Sequence, residues 1–189
     1  MNVSVLLNIP NLVGYIRLLL LVIGIFQDTK LFLTLYAISS SLDFLDGYLA
    51  RMFNQESVLG ACLDMFTDRI STVIISLRIM KEKKQMQKFI SLYVLIDLFS
   101  HFTHFYISSL DNVHHKNANN IILKVYYYKP FLCLICFFSE CFFIHTLSEY
   151  KFGIIYRFTY YCTVMKMIFH IVQLIDALLK LSDYKEKAM

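Results

Sequence analysis

Four aspartates, Asp43, Asp46, Asp64 and Asp68, lie inside stretches that are otherwise apolar and of helix length. An ionised carboxylate in a membrane-type segment is costly, so it is usually retained because something binds it. The spacing predicts how. Asp43, Asp46, Gly47, Ala50 and Arg51 fall at i, i+3, i+4, i+7 and i+8, one face of a helix. Gly60, Asp64 and Asp68 fall at i, i+4 and i+8, one face of the next. Two such faces turned towards each other form a pocket of carboxylates beside a guanidinium, with small residues where a ligand can approach the backbone. Hard oxygen donors in that number suit Mg²⁺ or Mn²⁺, ions that most often work on phosphates.

The rest of the chain supplies the apolar setting. Of 189 residues, 58% are hydrophobic, and the mean hydropathy is +0.57. That is too apolar for an ordinary soluble domain and too short for two large ones. The reading is an all-α integral membrane bundle of about six transmembrane helices, a single domain over residues 1–189. Its apolar windows run Leu12–Phe26, Leu31–Leu49, Asp64–Met80, Phe89–Leu110, Phe131–Leu147 and Ile154–Leu179. The second and third are weak by hydropathy because they carry the carboxylates. Connections are expected at Gln27–Lys30, Met52–Glu56, Lys81–Lys88, Asp111–Tyr128 and Ser148–Gly153. The chain has no Trp, so Tyr126, Tyr127 and Tyr128 are expected as an interfacial belt. The first apolar segment lacks a basic leader region and carries Arg17 within it, unlike a cleaved signal peptide. A net charge of +4 is too small to indicate a nucleic-acid partner, and lysines divide evenly enough between the two sides to leave orientation undecided. Five cysteines scattered through apolar segments read as packing residues rather than a disulfide framework or zinc site.

The run from Asp43 to Asp68 fits D-x2-D-G-x2-A-R-x8-G-x3-D-x3-D at every fixed position and thereby resembles the CDP-alcohol phosphatidyltransferase family. Asn54-Gln55 and Ser57 before Gly60, and Leu63-Asp64-Met65 followed by Thr67-Asp68-Arg69, are similar to the eukaryotic branch that uses myo-inositol as acceptor. The opening Ile9-Pro10-Asn11-Leu12-Val13-Gly14-Tyr15-Ile16-Arg17 resembles that branch too. The resemblance implies a membrane enzyme that takes the phosphatidyl group from CDP-diacylglycerol and releases CMP, with two Mg²⁺ or Mn²⁺ ions. It implies that Asp43 and Asp64 bridge both ions, that Asp46 completes one and Asp68 the other, and that Asp68 is the general base. It places Gly47, Arg51, Ser57 and Gly60 on the CDP group. It also implies the endoplasmic reticulum membrane, with the site facing the cytosol; a homodimer stays an open option.

The acceptor is less legible. Inositol is neutral and polyhydroxylated, so its site needs hydrogen-bonding groups without a fixed charge partner. Candidates are Asp97, His101, Lys116 and Lys124, with His104 and Tyr127 beside them. Asp97, His101 and His104 share a helix face at i, i+4 and i+7. Two other readings remain: the same donor with glycerol 3-phosphate or serine as acceptor, and a non-catalytic membrane protein whose carboxylates bind ions for transport.

Overall fold

The computed structural model describes residues 3–111, 121–148 and 153–187, and among them it contains helices and no strands. A short α1 (Val3–Leu6) precedes α2 (Ile9–Ile25), α3 (Thr29–Met52) and α4 (Val58–Glu82). A single 3-10 turn leads into α5 (Gln87–Asp111), followed by α6 (Ile121–Tyr126), α7 (Lys129–Leu147) and α8 (Gly153–Lys187). Each of the six long helices overlaps one of the six apolar windows. α5, α7 and α8 contain stretches long and apolar enough to cross a membrane, and α2 is a shorter apolar helix. α3 and α4 fall below that standard, as their carboxylates lead one to expect.

Local chemistry sets the helix starts. Pro10 occupies the first turn of α2, where its missing N–H costs nothing. The Asp28 carboxylate accepts from the Leu31 N–H (3.0 Å) and caps α3; the Ser57 hydroxyl accepts from the Gly60 N–H (3.0 Å) and caps α4. Between α3 and α4 the chain turns at Asn54, whose φ of 53° is a left-handed conformation that Asn tolerates better than most residues.

The chain divides into two compact units: residues 1–84 with 146–149, which hold α1–α4, and residues 85–145 with 150–189, which hold α5, α6, α8 and most of α7. In the first, α2 packs along α3 and against α4, while α3 and α4 touch each other little. α2 and α4 come close at Gly14, where an added Cβ would sit 2.8 Å from the Leu63 side chain. Leu21, Phe32, Tyr36, Ile75 and Ile79 fill the interior of this unit. At the far end of α4, Arg78 donates to the Gln27 carbonyl (3.0 Å) and the Thr29 hydroxyl (2.9 Å), pairs with Glu82 and lies over the Phe32 ring. That single side chain ties the α2–α3 turn to α4.

In the second unit α8 packs against α5 and α6. Aromatic edges join α5 to α7 (Tyr93 on Phe143, 5.2 Å) and α7 to α8 (Phe138 on Phe158, 4.9 Å). Two expectations need correction here. The connection after α5 is not wholly irregular, because α6 lies within the expected Asp111–Tyr128 loop. The tyrosine belt is also broken up. Tyr126 is 3% exposed and stacks on Phe169, whereas Tyr128 is 66% exposed. All five cysteines are free.

Candidate active site

Helical spacing and the packing of α2 between α3 and α4 put the four aspartates around one point. Ligand oxygens of Asp43, Asp64 and Asp68 lie within 4.8 Å of one another. The side chain of Asp46 is 11% exposed, and those of Asp43, Asp64 and Asp68 are 35%, 51% and 35% exposed, so the cluster opens outward. Carboxylates this close repel strongly in a medium of low dielectric. One guanidinium answers them. Arg17 of α2, 2% exposed, reaches Asp43 (2.6 Å), Asp46 (2.7 Å), Asp64 (3.2 Å) and Asp68 (2.7 Å). Arg69 adds a more distant contact to Asp68 at 3.8 Å. Four carboxylates against Arg17, with Arg69 near one of them, leave an excess of acidic groups over cationic ones. A hard-oxygen set with that excess and an open outer side fits divalent cations that keep some of their water.

Beside the aspartates lies a cavity of about 250 Å³. Its lining includes Asp46, Gly47, Ala50 and Arg51 from α3 and Ser57, Gly60 and Asp64 around the start of α4. Every residue expected on the CDP group therefore faces one space. Gly60 matters sterically: a Cβ there would lie 3.0 Å from the Asn11 side-chain oxygen and 3.1 Å from the Ser57 hydroxyl. Gly47 is roomier, with only the Arg51 guanidinium near an added Cβ, at 3.7 Å. Arg51 itself is exposed at the cavity edge. Ser57 has a structural duty as the α4 cap as well as its place in the lining.

Some participants entered the sequence reading only through the family resemblance, with no place in the site. Pro10, Asn11 and Gly14 of α2 also line the cavity, as does Gln55, whose side-chain oxygen accepts from the Ile9 N–H (3.0 Å). Arg17 was visible as a charge inside an apolar helix, and such a residue calls for a partner. Which partner depended on helix packing that no local pattern records.

The expected acceptor residues do not form one group. Asp97, 1% exposed, contacts His170 of α8 (3.3 Å), and the His101 ring nitrogen Nδ1 bonds the Asp97 carbonyl (2.8 Å). The two imidazoles meet edge to face with ring centres 4.8 Å apart. His170 was not foreseen, since it is distant in sequence. His104 faces Tyr127 at 3.3 Å. Lys124 is exposed on α6, and Lys116 lies outside the described residues.

The family model described as CDP-alcohol phosphatidyltransferase matches residues 7–175. The chain belongs to that family. It is 34% identical to the CDP-diacylglycerol–inositol 3-phosphatidyltransferase of Candida albicans, over 95% of this chain and 84% of that protein. It is 35% identical to the Saccharomyces cerevisiae protein of the same name, over 97% of this chain and 90% of that protein. The human protein of that name is 32% identical, with coverage of 74% and 70%. No solved structure matches. Membership in the family makes the four aspartates and the adjoining cavity a candidate active site for work on a CDP-linked substrate.

Proposed function

We propose that this chain is a phosphatidylinositol synthase: it transfers the phosphatidyl group of CDP-diacylglycerol to a hydroxyl of myo-inositol and releases CMP. The observation that carries the reading is the convergence of Asp46, Gly47, Ala50, Arg51, Gly60 and Asp64 on one cavity, with Asp43 and Asp68 joined to the same cluster through Arg17. The names of the relatives support inositol as the acceptor.

Asp43, Asp46, Asp64 and Asp68 would hold two divalent cations, Mg²⁺ or Mn²⁺, which neutralise the pyrophosphate and stabilise the leaving CMP. Gly47 and Gly60 leave room for the nucleotide, and Ser57 contacts it. Arg51 offers a charge-assisted contact to phosphate. Asp68 takes the proton of the attacking hydroxyl as its oxygen bonds the lipid-side phosphorus and the pyrophosphate bridge breaks towards CMP. On the acceptor side we assign Asp97, His101, Lys116 and Lys124 as residues to test by the KM for inositol. The whole chain acts as one domain, with six spanning helices in the endoplasmic reticulum membrane and the aspartates towards the cytosol; the match over residues 7–175 supports the single domain.

The test offers purified protein CDP-diacylglycerol and Mn²⁺ with labelled inositol, serine or glycerol 3-phosphate in parallel. Label from inositol should enter lipid. A serine lipid, or a product that keeps the acceptor's own phosphate, would move the chain to another branch of the family.

A further inference from the structure

We propose that Arg17 is the positioning residue of the metal site, gripping all four aspartates from the protein side and leaving their exposed side for divalent cations. The inference rests on the metal reading above and adds a residue from a third helix to it.

The contacts divide in a regular way. Nη1 meets Asp46 Oδ2 of α3 and Asp64 Oδ1 of α4; Nη2 meets Asp43 Oδ1 of α3 and Asp68 Oδ1 of α4. Each amino group thus joins one carboxylate from each helix. Of the second oxygens, Asp68 Oδ2 meets Arg69 Nη2 at 3.8 Å, too long for a hydrogen bond. Burial gives the direction. The guanidinium is 2% exposed, while three of the four aspartate side chains are 35–51% exposed, so Arg17 sits behind the cluster and not in its mouth. α3 and α4 touch each other little and each packs on α2, which leaves the α2 arginine to set the spacing of their carboxylates.

A lysine in this place would bring the charge but one nitrogen, where the planar fork supplies two in fixed geometry. Partners that orient metal ligands typically govern affinity by about 10- to 100-fold. The opposing idea is that Arg17 fills the place of a cation and competes with it. The two ideas predict opposite signs.

The test uses the full-length protein in detergent with Mn²⁺ alone, read by the electron paramagnetic resonance of free Mn²⁺, for the native chain, Arg17→Lys and Arg17→Gln. Both variants should bind Mn²⁺ about tenfold more weakly or worse, with Arg17→Lys folded by circular dichroism. Native or tighter binding by folded Arg17→Lys would overturn the proposal, because charge alone, or no arginine at all, would then suffice. Should Arg17→Gln fail to fold, the lysine variant decides. A native chain that binds no Mn²⁺ overturns the metal reading and this inference with it; native binding that Arg17→Lys leaves unchanged overturns only the inference.

Discussion

Both units of this protein place carboxylate among apolar helices, and they treat it in opposite ways. In the first, four aspartates stand together with three of them at least a third exposed, and one guanidinium is shared among them. In the second, Asp97 is sealed at 1% exposure between two histidines. A sealed carboxylate that touches an imidazole of its own helix and one of α8 ties the two helices together. A cluster that faces outward with charge left over keeps capacity for a ligand. Exposure and charge balance, more than the presence of acidic residues, separate the two roles.

The comparison breaks most readily at Asp64. Asp64→Asn should cut turnover by about a thousandfold or more, as loss of a bridging metal ligand removes charge stabilisation in the transition state. Helix content and melting should stay near native because the side chain is half exposed. Near-native turnover at ordinary Mg²⁺ or Mn²⁺ would refute the two-ion assignment. Asp68→Asn sharpens it further. The single-turnover rate should fall about a hundred- to ten-thousand-fold, the usual cost of removing a general base, with CDP-diacylglycerol affinity largely kept. A variant that binds the donor poorly but turns it over at the native rate would make Asp68 a ligand only.

Arg51→Ala should raise the Kd for CDP-diacylglycerol about tenfold, close to 1.4 kcal/mol, and leave the single-turnover rate of bound donor within a few-fold. Since Arg51 is exposed, melting should not move. The smallest effect on chemistry belongs to the second unit. Asp97→Asn should leave Mn²⁺ and donor affinity unchanged, raise the KM for inositol only a few-fold, and cost about 1–3 kcal/mol of stability by breaking a buried polar network. Weaker Mn²⁺ binding in that variant would erase the distinction between the clusters.

Much of the first unit was legible because its information is periodic. Residues at i, i+4 and i+8 share a face in any helix, so Gly60, Asp64 and Asp68 had to align once α4 formed. Hydropathy located six helices but misplaced an edge: the third window opened at Asp64, whereas α4 starts at Val58, directly after the Ser57 cap, and takes in the apolar run Val58–Leu63. The contacts of Arg17 and His170 were hidden for one reason. Each depends on which helices pack together, and neither partner lies within a helical turn in sequence. Tyr126 was misjudged because a tyrosine triplet reads as surface until α8 supplies Phe169 to cover its first member.

The place of Arg17 in the chain has a consequence for biogenesis. Domains made on ribosomes take shape from the N-terminus onward. α2 therefore meets the bilayer carrying a cation whose anions, in α3 and α4, have not yet been made. A lone charge in lipid is expensive, and so are the four that follow it. Each side relieves the other only when three helices have gathered, which rewards completion of the segment from Ile9 to Glu82 as a unit. All the residues that line the cavity or hold the aspartates lie within that segment, so the proposed CDP site is finished before α5 emerges.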